Sequence, residues 1–359
     1  MKGALYFGSV KGIKLYIHWT FSLLVLWVIG THFYDGGEMA SLGNRLFFLF
    51  AVFACVLLHE LGHALSALRY GVPTRDITLL PIGGVARLER IPEKPAQELV
   101  VAAAGPAVNV LIAIIIFLVI TISNGIPDSF SPDTISETDI SMNLLIVNIS
   151  LVIFNLIPAF PMDGGRMLRA VLSLKLNRAK ATKIAAIIGQ IIAVGFIILG
   201  IYANPILAFI GVYIIMSARQ EAAQVSRAEF LKNLVVKDVM LTEFKMIPAN
   251  TLLKEVVPIV LSVEQNDFLV VQENGLITGV MTRNSLLSGL NDFGPEISVM
   301  QIAHPIMEGI KTDSTLSAVY SQMLEHSIIA APVYQNGAIT GMITLSNIRD
   351  YYMMKQSNA

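Results

Sequence analysis

The chain has 359 residues, of which 54% are hydrophobic and only 14% charged, against roughly 25% charged in ordinary soluble domains. A net charge of −1 excludes a general nucleic-acid binder, and the single cysteine, Cys55, excludes an internal disulfide or a cysteine-based metal cluster. The charge deficit lies before about residue 220, so a membrane domain followed by a soluble one is expected.

A spanning helix needs about 20 mostly apolar residues. Six stretches qualify: about 16–34, 44–67, 98–122, 141–160, 184–202 and 204–219. The first is long and lacks a small-residue cleavage site, so it is expected to remain as a span. It opens on His18, which reads either as an interfacial anchor beside Trp19 or as a contact near the active site. Cys55, among apolar residues of the second, reads as a packing residue. After the second span, 75–90 holds Thr, Ile, Leu and Val around Pro81, Gly83 and Gly84, the pattern of two short strands and a turn. The last two spans are separated only by Ala203, Asn204 and Pro205 and must form a helical hairpin.

The basic residues of the connections set the expected orientation. Segment 68–97 carries Arg69, Arg75, Arg87, Arg90 and Lys94, and segment 161–183 carries Arg166, Arg169, Lys175, Arg178, Lys180 and Lys183. Segment 123–140 has no basic residue but contains Asp128, Asp133, Glu137 and Asp139. Six spans then place both termini in the cytosol and the acidic loop outside.

From about 235 to 355 the chain repeats itself. Each copy has a helix beginning near Thr251 or Ser314, a short apolar strand (FLVV, AAPVY), a turn holding Asn274-Gly275 or Asn336-Gly337, a second strand (ITGVMT, ITGMIT) and a closing helix. Asn-Gly is a strong hairpin signal. The pattern resembles a tandem pair of cystathionine-β-synthase (CBS) domains, which pack as one α/β unit.

The second span ends in His59-Glu60-Leu61-Gly62-His63. Positions i and i+4 share a helix face, so both imidazoles can meet one metal, with Glu60 able to reach a water there. Each of these polar groups costs roughly 2–3 kcal/mol or more at mid-bilayer unless paired or in a wet cavity. Zinc catalysis needs three protein ligands. Asp163, the only acid in NLIPAFPMDGGRMLRA at the end of the fourth span, is the expected third, at the depth of His63. Pro158 and Pro161 break that helix, and Gly164 and Gly165 permit close approach. His32, His304 and His326 show no metal spacing.

With these motifs the chain resembles the site-2 protease family of intramembrane zinc metalloproteases, in the prokaryotic branch with C-terminal CBS domains. Its HExxH stands here as His59 to His63. Its NxxPxPxxDGG is matched by Asn155, Pro158, Asp163, Gly164 and Gly165, with the second proline one place later at Pro161, and its GPxxN element matches Gly105, Pro106 and Asn109. The implied fold is a polytopic α-helical membrane domain of six transmembrane helices with a small membrane-edge β element, plus a C-terminal α/β tandem CBS domain. The expected boundaries are 1–220 for the protease domain, 221–234 for a linker and 235–355 for the CBS pair, its copies at about 235–290 and 298–355.

The implied chemistry has one zinc held by His59, His63 and Asp163. Glu60 takes the proton of the attacking water and returns it to the leaving amine. Asn155 or Asn109 either hydrogen-bonds the oxyanion or braces the helices. Pro81, Ile82, Gly83 and Gly84 best match the family's strand element, which would hold an unwound substrate by strand addition. The expected substrate is a single-span membrane protein such as a membrane-anchored transcriptional regulator, in a multi-pass protein of the cell membrane surrounded by lipid bilayer, with no nucleic-acid partner. Related CBS pairs bind adenine nucleotides through a Thr and an Asp three residues later. Here Thr282 leads to Ser285 and Thr344 to Asn347, so two readings stand: a nucleotide site without that carboxylate, or a module for homodimerisation and substrate docking. The alternative at the level of function is an ion transporter or channel with regulatory CBS domains, and a third is an inactive scaffold. Neither requires a glutamate directly after the first histidine.

Overall fold

The computed structural model of the protein describes residues 3–81, 83–88, 92, 94–124, 140–307 and 309–357. The expected outer acids Asp128, Asp133, Glu137 and Asp139, together with Ile82 and Arg90, lie outside these residues. The chain divides into two compact units, Met1–Ala223 and Gln224–Ala359.

The first unit begins with a hairpin that the apolar pattern did not reveal. Strands β1 (Ala4–Val10) and β2 (Ile13–His18) pair antiparallel, with Val10 opposite Ile13. The two loop residues, Lys11 and Gly12, have φ of 47° and 85°, as a type I′ turn requires. The first span is therefore corrected. Residues 16–18 belong to β2, and helix α1 covers Phe21–Tyr34. Alternation explains this: Ile13 and Leu15 are buried while Lys14 is exposed, a period of two that merges into the following apolar run.

Helix α2 (Met39–Arg69) carries the HELGH segment. Strands β3 (Thr74–Leu80) and β4 (Gly83–Leu88) follow, then α3 (Pro95–Asn124). The sheet order is β1-β2-β3-β4, with β2 parallel to β3 and β4 at an edge. The β element is thus larger than the two strands expected. Ile13, Leu15 and Ile77 bury against Leu61 and Ala64 of α2, so the sheet sits on the turn bearing the two histidines.

Helix α4 (Ile140–Leu156) ends in the broken stretch 157–162, and α5 (Asp163–Leu172) starts at the aspartate. Then come α6 (Arg178–Tyr202) and α7 (Pro205–Lys232). Pro205 opens α7 where its missing N–H costs nothing, and Asn204 Oδ1 accepts from the Ile206 N–H at 3.0 Å, forming the expected helical hairpin. Among the described residues α2, α3, α6 and α7 are long and apolar enough to span a membrane. Helices α1 and α4, with 14 and 17 residues, reach about 21 and 26 Å at 1.5 Å per residue.

Buried ions fasten α5. Arg169, fully buried, donates from Nε to Glu98 Oε1 of α3 at 2.7 Å and from Nη1 to Glu221 Oε1 of α7 at 2.5 Å. Its guanidinium lies 5.1 Å from the Phe160 ring centre, and Arg178 Nη2 lies 3.5 Å from Glu98 Oε2.

The second unit contains two copies of one motif. Strands β5 (Met246–Pro248), β6 (Asp267–Val271) and β7 (Ile277–Thr282) form one sheet, with α8 (Leu253–Leu261) and α9 (Arg283–Asp292). Strands β8 (Ile310–Lys311), β9 (Ala330–Gln335) and β10 (Ala338–Thr344) form the other, with α10 (Leu316–Glu325) and α11 (Leu345–Ser357). Asn336 and Gly337 have φ of 52° and 83°, the turn that the Asn-Gly step predicts. Leu269, Ile277 and Val280 of one copy bury with Ala330 and Met342 of the other, which makes the pair one α/β body.

Candidate metal centre

His59 and His63 are one helical turn apart on α2, and both imidazoles are buried. Each is aimed by a partner on α3. His63 Nδ1 lies 2.7 Å from the carbonyl oxygen of Val101, and His59 Nδ1 lies 2.5 Å from Asn109 Oδ1. Neither oxygen can donate. The hydrogen of each neutral ring therefore sits on Nδ1, and the lone pair on Nε2 is left free.

Asp163 arrives from the other side. Gly164 and Gly165 let the first turn of α5 press on the frayed end of α4: a Cβ on Gly164 would lie 2.6 Å from the Leu156 carbonyl carbon, and one on Gly165 2.7 Å from Phe160 N. The carboxylate sits at the positive end of the α5 dipole. Asp163 Oδ2 is 3.2 Å from His59 Nε2 and 3.1 Å from His63 Nε2, and the two Nε2 atoms are 3.1 Å apart.

Three electron-rich atoms converge here, with the ring hydrogens turned away. Such a buried triangle repels itself without a cation at its centre. A tetrahedral ion with bonds of about 2.0–2.1 Å sets its donors about 3.3 Å apart, close to the observed edges. Two imidazoles and a carboxylate also form the donor set of a catalytic zinc, which leaves a fourth position open. Gly105 makes the space, because a Cβ there would collide with His63 Nε2 and fall 2.7 Å from His59 Nε2.

Glu60 follows His59 and is half-buried. Strand β4 lies directly over it: a Cβ on Gly84 would fall 2.6 Å from Glu60 Cγ. Of the strand-binding positions expected, Pro81 is in the turn and Gly83 and Gly84 open β4, while Ile82 is not described. Asn109 is fully buried, with Oδ1 on His59 and Nδ2 donating to Asn148 Oδ1 at 2.8 Å. Asn155 Nδ2 donates to the Leu151 carbonyl at 3.0 Å. His18 Nδ1 lies 2.8 Å from Thr20 Oγ1 and its ring 6.0 Å from that of Trp19.

In the second unit the four positions singled out at the strand–helix junctions cap helices. Thr282 Oγ1 accepts from the Ser285 N–H and Ser285 Oγ from the Thr282 N–H, both at 2.9 Å. Thr344 Oγ1 accepts from the Asn347 N–H at 3.0 Å and donates to Asn347 Oδ1 at 2.5 Å.

The Val101 carbonyl, Asn148 and the Arg169–Glu98 pair were not anticipated as parts of this region. A backbone carbonyl leaves no trace in a sequence. Asn148 left one, an amide in the apolar run NLLIVNISLV.

Residues 47–145 and 138–199 match the model of peptidase family M50, and residues 236–292 and 301–354 match that of the CBS domain. The chain is 35% identical over 275 residues to a zinc metalloprotease of Methanocaldococcus jannaschii, an alignment covering 76% of each protein. It is 28% identical over 387 residues to Rip3 of Mycobacterium tuberculosis, covering 99% of this chain and 95% of that one. A solved structure of a site-2 protease from Methanocaldococcus jannaschii is 36% identical, with 61% of this chain and 95% of that one covered and a TM-score of 0.44.

Proposed function

Since the chain belongs to peptidase family M50, we propose that this multi-pass membrane zinc metalloprotease hydrolyses a peptide bond in or near the transmembrane segment of a membrane-anchored protein. The observation that carries the reading is the triangle of His59, His63 and Asp163 beside Glu60, beneath an open strand edge.

In this reading His59, His63 and Asp163 hold the zinc, which supplies Lewis acidity that acidifies water and polarises a carbonyl. Glu60 accepts the proton of the attacking water and passes it to the departing amine. A peptide bond within a helix is shielded, so the substrate must first be unwound. The edge of β4, free among the described residues, offers N–H and C=O groups to an extended chain, and Gly84 keeps that edge close to Glu60. Asn109, with both polar atoms engaged by His59 and Asn148, braces the helices.

The substrate class we favour is a single-span membrane-anchored regulator, cut near the cytosolic face. Both termini and the CBS pair are assigned to the cytosol on the basic residues of segments 68–97 and 161–183. We assign 1–220 to the protease and 235–355 to the CBS pair, joined by 221–234. The pair serves to dimerise the chain and modulate cleavage. The capping bonds of Thr282, Ser285, Thr344 and Asn347 favour that role over nucleotide binding.

The test uses purified protein reconstituted with a single-span substrate. Glu60→Gln should retain zinc and lose at least 100-fold in cleavage rate, the scale of general acid–base catalysis. Equal cleavage by the two proteins would refute the mechanism.

A further inference from the structure

Behind the metal-facing side of His59 runs a chain of side-chain amides through the packed α2, α3 and α4. Asn109 Oδ1 meets His59 Nδ1, Asn109 Nδ2 donates to Asn148 Oδ1 at 2.8 Å, and Asn148 Nδ2 donates to the Leu144 carbonyl at 2.8 Å. The other Asn148 Nδ2 hydrogen faces Cys55 Sγ at 3.5 Å. Asn109 and Asn148 are both fully buried, so water does not compete for these bonds.

An amide can face either way, and only its partners decide which end points where. At the far end of this chain the partner cannot be reversed, because a backbone carbonyl only accepts. The Leu144 carbonyl therefore fixes the NH2 of Asn148 toward itself and the oxygen of Asn148 toward Asn109. That oxygen in turn draws the NH2 of Asn109, which turns the Asn109 oxygen to His59. Facing an acceptor, the neutral imidazole keeps its hydrogen on Nδ1 and its lone pair on Nε2, the atom that meets His63 and Asp163. With Asn109 reversed, its NH2 would face Nδ1, and the hydrogen would move to Nε2 and block the lone pair.

We propose that Asn148 is a positioning residue for the metal centre: anchored on the Leu144 carbonyl, it sets the direction of the Asn109 amide and thereby the tautomer in which His59 binds metal. Among the described residues Asn148 hydrogen-bonds to Asn109, Cys55 and the Leu144 carbonyl, and it acts on His59 through Asn109. Cys55, as the weak acceptor for the second hydrogen, helps to hold the Asn148 amide in plane. The inference rests on the reading of His59 as a zinc ligand.

The experiment measures zinc affinity of the full-length protein in detergent, by competition with a chromogenic chelator, and the visible spectrum of the cobalt-substituted form. Asn148→Leu, close in shape and without the amide, should weaken zinc binding about 10- to 100-fold and alter the cobalt spectrum. Leu145→Ala is the packing control. It empties a buried site on the same helix without touching the amide chain and should leave both readouts near wild type. Unchanged affinity and spectrum in Asn148→Leu, or an equal loss in Leu145→Ala, overturns the inference. His59→Ala separates the two levels. Retained affinity there overturns the ligand assignment and this inference with it, whereas loss there with an unaffected Asn148→Leu overturns this inference alone. Should Asn148→Leu not fold, nitrogen NMR of wild-type metal-free protein labelled at histidine, assigned by loss of the His59→Ala signal, decides. Hydrogen on Nδ1 of His59 is expected, and hydrogen on Nε2 overturns the proposal.

Discussion

Gly105 shows how far the metal centre depends on what is missing from a side chain. Both imidazoles of the candidate centre lean into the space where its Cβ would stand, and His63 is held there by the Val101 carbonyl one turn earlier on the same helix. Alanine in a membrane helix is otherwise an easy replacement. At Gly105 it should displace the imidazoles and lower zinc content to well under half of wild type, measured by elemental analysis of purified protein, while leaving expression and helicity intact. A full complement of zinc in Gly105→Ala would show that α3 does not shape the centre. The convergence of His59 and His63 was legible because i, i+4 histidines carry their geometry with them. The reason for Gly105 was not, because it depends on which helix lies opposite.

At the scale of elements, the decisive feature is the sheet carried by α2. Half of it was legible: Thr, Ile and Leu around Pro81 and the glycines announced β3 and β4. The other half was hidden, since Tyr16–His18 of β2 runs into the apolar stretch of α1 and reads as helix until a partner strand is seen. With β2 in place the sheet packs through Ile13, Leu15 and Ile77 onto Leu61 and Ala64, and among the described residues β4 becomes the open edge over Glu60. A proline removes an N–H from such an edge without touching a metal ligand. N–H groups alternate along a strand, so among prolines at Val85, Ala86 and Arg87 at least one removes an edge N–H, and it should reduce cleavage of a single-span substrate at least tenfold with zinc content unchanged. Wild-type cleavage in all three would sink strand addition. The broken end of α4 was also legible, through Pro158 and Pro161, but the short helix α5 was not. Its place depends on Arg169, buried between Glu98 and Glu221, and ion pairs between helices distant in sequence are invisible before the helices are packed.

Across the whole molecule, the division into an apolar unit and a polar repeat follows from composition alone, and the internal repeat foretold two like sheets. The short strands β5 and β8 are not legible in the sequence, because three and two residues are too few to show alternation. The C-terminal unit has its own marker in Asp267, buried on β6. Burial raises its pKa above the ordinary 3.8, with the hydrogen bond from Ser346 working against that rise. A carboxyl raised in the folded state favours folding below pH 3.8, and that contribution is lost as pH rises through the folded pKa. Asp267→Asn should thus stabilise this unit at neutral pH, and the gain should shrink as pH falls toward 4. Hydrogen exchange of the unit's strands in the full-length protein at several pH values reads this directly. A gain constant with pH would mean that Asp267 does not titrate there.

The central claim is that the chain holds its zinc with His59, His63 and Asp163 while Glu60 stands apart as the base. Zinc per chain, measured on purified variants, tests it most directly. Wild type and Glu60→Gln should each carry about one zinc, as a catalytic site with three protein ligands does, and Asp163→Ala should carry almost none. A full zinc complement in Asp163→Ala, or its loss in Glu60→Gln, would contradict that assignment.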